Sequence, residues 1–102
     1  MDIKEITVDE AKKYLDEGQS CFIDVRDPGS YESSHIKGAK SLNDSNIEDY
    51  ISKADKRAVH IVYCYHGNSS IGAAGFFKEK GFENVYSMTG GFTQWGNRFN
   101  TN

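Results

Sequence analysis

Cys64 is the residue whose type and position could carry chemistry in this sequence. It ends the segment His60-Ile61-Val62-Tyr63-Cys64, in which β-branched and aromatic residues follow one another without polar alternation. That pattern predicts a central strand that is buried on both faces. The residues that follow predict a loop over 65–69 and a helix over 70–80. A thiol between a strand end and a helix N-terminus faces unpaired N–H groups, which favour the thiolate.

The loop after Cys64 has the residues needed to turn its backbone N–H groups inward. Gly67 can adopt a positive φ, and Asn68 tolerates one better than most residues do. Successive N–H groups that point inward form a nest that binds anions. The other interpretation is a buried strand cysteine followed by an ordinary loop, and the segment alone does not decide between the two.

The same arrangement of cysteine, loop and helix serves two chemistries, and Ser70 separates them. Phosphatases of the Cys-x5-Arg type need an arginine six residues after the cysteine to clamp the phosphate. In this sequence that position is Ser70, and the loop contains neither Arg nor Lys. A phosphatase or arsenate reductase is therefore disfavoured, the latter also because no second cysteine lies near Cys64. A nest without a fixed cation better fits a soft sulfur anion on the cysteine.

The remaining cysteine and the histidines predict structural roles. Cys21 begins a strand-like run and forms no Cys-x-x-Cys pair, so we expect it to contribute to packing. His66 is interpreted as a solvated loop residue, with contact to an anionic substrate as the alternative. His35 is interpreted as the donor or acceptor of a structural hydrogen bond, and His60 as a strand-edge residue. Because the three histidines lack ligand spacing, no metal site and no cofactor are predicted.

Asp24 and Arg26 form the other polar pair of interest. They lie at the end of the predicted strand 21–25, on the same face because side chains alternate along a strand. The simplest interpretation is a structural ion pair that holds neighbouring loops, and the alternative is a pair that shapes the rim of the site. Ser69 and Ser70 are predicted to cap the helix that follows the loop.

Strand-like and helix-like segments alternate along the rest of the chain. Thr7 and Glu10 form a capping box that opens a helix, and Gly18 ends it. Alternation of this kind predicts an α/β fold with a parallel sheet, in which ligands bind beyond the carboxyl ends of the strands. The predicted strands are 21–25, 39–42, 60–64 and 85–88. Further helices are predicted near 30–32, after a second capping box at 45–48, over 70–80, and around Phe92, Trp95 and Phe99, which share a core-facing side.

The composition is that of a small globular protein. The 102 residues, 37% hydrophobic and 13% aromatic, predict a single domain over residues 1–102. The formal net charge is −3 and the basic residues are scattered, so we expect no binding of nucleic acid or of a membrane surface. No apolar run is long enough to cross a bilayer, and the N-terminus lacks a basic-then-apolar signal. We therefore expect a soluble, cytoplasmic protein.

Three ordered motifs span most of the chain. The first covers 23–28 together with 31–32 and 35–39, the second is the loop 64–69, Cys64-Tyr65-His66-Gly67-Asn68-Ser69, and the third is the segment 86–92 with Trp95. Together they resemble single-domain rhodaneses, the short bacterial thiosulfate sulfurtransferases of the GlpE type. The three motifs are similar, in that order, to the N-terminal signature, the active-site loop and the C-terminal signature of that family.

The resemblance implies a fold and a reaction. The expected fold is one α/β rhodanese-like domain with a central, mostly parallel five-stranded sheet flanked by helices on both faces. The expected reaction begins when Cys64 attacks the outer sulfur of thiosulfate and becomes a persulfide, and a nucleophilic acceptor then removes that sulfur. Asp24 and Arg26 are expected to support the rim. Substrate and persulfide are expected to bind to Tyr65, His66, Gly67, Asn68, Ser69 and Ser70.

The resemblance leaves the acceptor and the oligomeric state open. Cyanide is the expected acceptor in an assay, and a thiol, a dithiol or a thioredoxin-like protein is expected in the cell. A second class of function is a non-enzymatic sulfur carrier or regulatory module that docks a partner protein. The presence of Cys64 in a complete loop favours the enzyme.

Overall fold

The strands of residues 2–99, the part of the chain that the computed structural model describes, form one parallel sheet. The spatial order of the five strands is β1-β5-β4-β2-β3, and each neighbouring pair runs in the same direction. In chain order the elements are β1 (Lys4–Ile6), α1 (Val8–Glu17), β2 (Cys21–Asp24), α2 (Pro28–Ser33), β3 (Lys40–Ser41), α3 (Ile47–Lys53), β4 (Val59–Tyr63), α4 (Ser69–Glu79), β5 (Asn84–Met88) and α5 (Gly91–Arg98).

Two hydrophobic cores, one on each face of the sheet, hold the helices in place. Neighbouring strand residues point to opposite cores, as Phe22 and Ile23 of β2 and Ile61 and Val62 of β4 do. One core is covered by residues of α1 and α5, among them Trp95, and the other by residues of α3 and α4. The expected sheet with helices on both faces is therefore confirmed, and β4 is its central strand.

Local signals in the sequence start and end several of these helices. The Thr7 side chain accepts from the Glu10 N–H at 3.1 Å and the Glu10 carboxylate accepts from the Thr7 N–H at 2.8 Å, so the first capping box is confirmed. Gly18 ends α1 in the left-handed conformation that a glycine adopts without strain. The Asp27 side chain caps α2, whose first residue is Pro28.

The structure corrects the sequence-based account of two secondary-structure elements. The strand patterns did not locate β1, a three-residue edge strand that pairs with β5. The prediction of a second capping box at 45–48 is wrong, because the N-cap of α3 is Asn46 and its side chain makes no capping bond. The Ser45 hydroxyl instead donates to the Asn43 Oδ1 at 2.6 Å, which holds its side chain at Asn43 rather than at the first turn of the helix.

At the amino-terminal ends of the central strands, one side chain differs from expectation. His60 is fully buried rather than at a strand edge, with its Nδ1 2.9 Å from the Ala58 carbonyl and its Nε2 2.7 Å from the Tyr50 hydroxyl. Cys21 is half-buried and free, and lies in register with His60 on β4. Cys21 is therefore beside the amino-terminal end of β4, whereas Cys64 follows its carboxyl end, so the two cysteines lie at opposite ends of the strands.

Within residues 2–99, no helix has both the length and the apolar character required to cross a membrane. The same residues contain no group of three or more His, Cys, Asp or Glu side chains arranged to hold a metal ion.

Candidate active site

The sulfur of Cys64 lies at the carboxyl end of the central strand and is surrounded by hydrogen-bond donors. Cys64 follows β4 directly and is buried. Its Sγ accepts from the Gly67 N–H at 3.2 Å and from the Ser70 N–H at 3.3 Å. The Ser70 hydroxyl oxygen lies 3.4 Å from the same sulfur. The loop therefore wraps around the sulfur and presents polar hydrogens to it.

The curl of the loop depends on Gly67 and on the way α4 begins. Gly67 has φ +98°, and a Cβ added there would lie 2.9 Å from the Gly90 nitrogen, so both conformation and space require glycine. Asn68, the N-cap of α4, has φ −90° and makes no side-chain capping bond. Without that bond, the N–H of Ser70 in the first turn of α4 is free to point at Cys64.

The N-terminus of α5 holds the loop from the opposite side. The Phe92 N–H donates to the Cys64 carbonyl at 2.8 Å, and the Thr93 N–H donates to the Tyr65 carbonyl at 3.0 Å. Gly91, with φ +61°, makes this approach possible, because a Cβ there would lie 2.4 Å from the Tyr65 oxygen. With two carbonyls held by α5, the peptide units of the loop are oriented with N–H groups toward the sulfur.

These contacts set the protonation of Cys64. Burial by itself would raise the pKa of the thiol, because it disfavours the charged form. Hydrogen bonds from the Ser70 hydroxyl, and from the backbone N–H groups of Ser70, Gly67 and His66, outweigh burial and hold the pKa of Cys64 below its ordinary value. The site therefore favours the thiolate form of this sulfur.

Asp24 and Arg26 form a buried ion pair beside the site. The Arg26 Nη2 lies 2.8 Å from the Asp24 Oδ2, and Nε is 3.1 Å from both carboxylate oxygens. Arg26 Nη2 also donates to the Ser34 carbonyl at 2.6 Å, and the guanidinium lies 4.0 Å from the centre of the Phe92 ring. The predicted structural ion pair is confirmed. It connects the end of β2 both to the segment after α2 and to α5.

Tyr65 and Asp27 form one wall of the pocket over Cys64. The Tyr65 hydroxyl donates to the Asp27 Oδ1 at 2.5 Å and contacts the Ser30 hydroxyl. These bonds, first the one from Tyr65 and then those from Ser30, lower the pKa of Asp27 to about 2. The pocket has a volume of about 290 Å³, and its lining comprises Val25, Arg26, Asp27, Cys64, Tyr65, His66, Asn68 and Ser69.

The structure brings the sequence-predicted site residues together, with differences in detail. Cys64 is in contact with Gly67 and Ser70, and the other loop residues line the pocket with Arg26. His66 is exposed, as expected for a solvated residue, and the His35 Nδ1 makes the expected structural hydrogen bond, with the Tyr31 carbonyl at 2.7 Å. Asp24 does not line the pocket and contacts it through Arg26.

The prediction that Ser69 and Ser70 cap α4 is wrong, because Asn68 occupies the N-cap position. The Ser70 hydroxyl instead lies between the Cys64 sulfur and the Ser87 hydroxyl of β5. Ser87 and Gly91 lie in the segment 86–92 that carries part of the family resemblance, but no role at the site was predicted for either. The signal for Ser87 was a serine inside an otherwise apolar strand, and the signal for Gly91 was the second glycine of a pair before a helix.

Comparisons with known proteins give one consistent result. The family model described as Rhodanese-like domain matches residues 7–98. The chain is similar to the thiosulfate sulfurtransferase GlpE of Pseudoalteromonas translucida, with 42% identity over 93% of this chain and 90% of that protein. It is similar to the protein of the same name from Pseudomonas paraeruginosa, with 43% identity over 84% of this chain and 78% of that protein.

Solved structures agree on the fold. The crystal structure of the Alr3790 protein from Anabaena sp. superposes with a TM-score of 0.85 at 25% identity, covering 95% of this chain and 90% of that one. A rhodanese-like domain protein from Staphylococcus aureus superposes with a TM-score of 0.81 at 26% identity, covering 92% of each chain.

Proposed function

Because the chain belongs to the rhodanese-like domain family, we propose that it is a thiosulfate sulfurtransferase in which Cys64 carries the transferred sulfur. The Cys64 thiolate attacks the outer sulfur of thiosulfate, and a new S–S bond forms as the bond to the inner sulfur breaks. Sulfite leaves with the electron pair of the broken bond. An acceptor nucleophile then attacks the terminal sulfur of the persulfide and regenerates the thiolate.

The observation that carries this proposal is the set of donors around the Cys64 sulfur. Hydrogen bonds from the Gly67 N–H and the Ser70 N–H favour the thiolate that must attack, and the Ser70 hydroxyl, 3.4 Å from the sulfur, can donate to it once the thiol has ionised. The same loop can hold the persulfide anion as an oxyanion hole holds an alkoxide. No arginine follows Cys64 by six residues, and the guanidinium of Arg26 is engaged by Asp24. This arrangement suits a sulfur anion better than a phosphoryl group.

The roles of the other residues follow from their positions. Backbone groups of the loop 65–70 bind the anionic substrate and the persulfide, while Tyr65 and His66 border the entrance. Asp24 and Arg26 support the rim. Cyanide is the acceptor in an assay, and a dithiol or a thioredoxin-like protein is the proposed acceptor in the cytoplasm. The whole chain, 1–102, acts as one domain without a cofactor.

Intact-mass measurement tests the proposal directly. The protein is exposed to thiosulfate, measured, then exposed to cyanide and measured again. We expect a gain of one sulfur atom that cyanide removes with formation of thiocyanate. Cys64→Ser should gain nothing, and Cys21→Ser is the matched control that should behave like wild type. If no adduct forms at any thiosulfate concentration, the proposal is wrong. An adduct that persists through cyanide treatment would also contradict the proposal, and a protein that shows no turnover of thiosulfate with cyanide would favour the non-enzymatic module.

A further inference from the structure

Two buried serine hydroxyls continue the hydrogen bonding of Cys64 into the protein interior. Ser70 Oγ lies 3.4 Å from the Cys64 sulfur and 2.7 Å from Ser87 Oγ. Both serines have no exposed surface. Ser87 lies on the face of β5 that also carries Val85, which packs with Ala74 and Phe77 of α4. A buried strand position facing a helix normally holds an apolar residue, so a serine here calls for a polar partner.

The direction of this chain of hydroxyls follows from the number of protons. Among residues 2–99, the Ser70 hydroxyl is the hydrogen-bond partner of the Ser87 hydroxyl. A buried donor that finds no acceptor is costly, so Ser87 donates its proton to Ser70. Ser70 Oγ then accepts from Ser87, and its own proton points toward Cys64. This order satisfies both hydroxyls best when the sulfur is a strong acceptor, as a thiolate or a persulfide anion is, because a neutral thiol accepts only weakly.

We propose that Ser87 is a positioning residue that orients the Ser70 hydroxyl as a donor to the Cys64 sulfur. Ser87 does not touch the sulfur and acts only through Ser70. In the opposite order, with the thiol donating to Ser70 and Ser70 donating to Ser87, the Ser87 proton would have no acceptor. By donating to Ser70 Oγ, Ser87 holds that oxygen in place and polarises its O–H toward the sulfur, which strengthens the hydrogen bond to an anionic sulfur. The inference rests on the proposed function only in taking Cys64 as the nucleophile.

Few charged groups surround Cys64, so the effect of the neutral Ser87 hydroxyl on the pKa of Cys64 can be measured separately from theirs. The end of β2 contributes Arg26, paired with Asp24, and Asp27. The loop contributes Tyr65 and His66, both exposed. The first turn of α4 carries no acidic residue. All of these groups stay in place when Ser87 loses its hydroxyl.

The experiment is the pH dependence of alkylation of Cys64 by iodoacetamide, measured without thiosulfate. A Cys21→Ser background leaves Cys64 as the one cysteine. We expect Ser87→Ala to move the midpoint of the rate profile upward by up to about half a pH unit, because Ser70 can still donate to the sulfur and only the strengthening of that bond by Ser87 is lost, about 10–30% of a hydrogen bond to a charged group. At a pH below both midpoints, the rate should fall by up to about threefold. Ser41→Ala, in the edge strand β3, is the matched control and should leave the profile unchanged.

A double-mutant cycle tests whether Ser87 acts through Ser70. Ser70→Ala should move the midpoint by at least as much as Ser87→Ala, and adding Ser87→Ala to it should cause no further change. Ser87→Thr keeps the hydroxyl and should restore most of the shift. An unchanged midpoint in Ser87→Ala, or an equal shift in the Ser70→Ala background, would overturn the proposal. If the profile shifts as expected while wild type forms no thiosulfate adduct, the positioning role stands and the proposed function fails.

Discussion

Replacing Gly91 by alanine should disable the site by moving the loop. Gly91 is the first residue of α5 and lies against the backbone on the far side of the loop from the Cys64 sulfur. An added Cβ would lie 2.4 Å from the Tyr65 oxygen, 2.5 Å from the Tyr65 carbonyl carbon and 2.6 Å from the Cys64 oxygen. All three neighbours are backbone atoms, which cannot rotate away as a side chain can. The loop and α5 must therefore separate.

The size of the movement sets the size of the effect. Carbon atoms in contact are normally about 3.5 Å apart, so the loop and α5 must separate by roughly 1 Å. A displacement of about 1 Å in a catalytic group costs on the order of 100-fold in rate. Overpacking adds about 1–3 kcal/mol to the destabilisation, and the positive φ of +61° at Gly91 adds a further cost for any residue with a Cβ. The φ cost is about 1–2 kcal/mol.

Gly18→Ala separates the two causes. Gly18 has φ +78°, a similar backbone conformation, but no atom lies within 4 Å of the Cβ that alanine would add there. It ends α1 and lies three residues before β2 begins, at the edge of the sheet away from Cys64. In this variant we expect the free energy of unfolding to fall only by the cost of a positive φ, about 1–2 kcal/mol. The activity should remain that of wild type.

The assays are urea unfolding and the rate of persulfide formation from thiosulfate, each measured for the two variants and wild type. We expect Gly91→Ala to be less stable than Gly18→Ala and to form the persulfide about 100-fold more slowly. The midpoint of Cys64 alkylation against pH should also rise in Gly91→Ala, because the N–H groups no longer converge on the sulfur. If Gly91→Ala is as stable as Gly18→Ala and retains a rate within threefold of wild type, the steric reasoning is wrong.

Three further predictions concern charge and pH. Asp24→Asn leaves the Arg26 cation buried without its partner, so we expect a loss of about 3–5 kcal/mol in the free energy of unfolding by urea; a loss below 1 kcal/mol would contradict a desolvated pair. Burial lowers the pKa of His60 from its ordinary 6.5, so the unfolded chain takes up this proton first. The contribution of His60 to the free energy of unfolding should be complete above about pH 6.5. Below that pH it should fall by up to about 1.4 kcal/mol per pH unit. Urea unfolding of His60→Gln at several pH values should lack this pH dependence. Persulfide formation should reach half its maximal rate below the ordinary pKa of a cysteine thiol, and a midpoint at or above that value would show that the donors around Cys64 do not stabilise its thiolate.

The sequence sufficed to predict features whose causes are local. The capping box of Thr7 and Glu10 and the positive φ of Gly67 each depend on residues close together in the chain. The ion pair of Asp24 and Arg26 has the same character, because two strand residues separated by one position share a face. Cys64 was identified because a buried strand, a glycine-containing loop and a helix follow one another directly.

Features that depend on strand order were not predictable from local patterns. Phe92 and Ser87 approach the loop only because β5 lies next to β4 in the sheet, and no motif in the sequence states that adjacency. His60 was misplaced for a related reason. Its position before an apolar run indicates a strand edge. In the structure, Tyr50 of α3 and Phe82, in the segment between α4 and β5, enclose the His60 ring.

Two helix N-termini with different tasks explain how an acidic chain can stabilise the thiolate of Cys64. The first turn of α4 supplies the Ser70 N–H directly to the Cys64 sulfur, with the positive end of the helix dipole behind it. The first turn of α5 donates hydrogen bonds to the Cys64 and Tyr65 carbonyl oxygens. Without these bonds, the two oxygens would be free to turn toward the pocket. Because both contributions come from backbone groups over a few ångströms, the net charge of −3 has little influence at the sulfur, where salt and solvent screen distant charges. Activity should therefore tolerate changes of surface charge far better than the addition of one methyl group at Gly91.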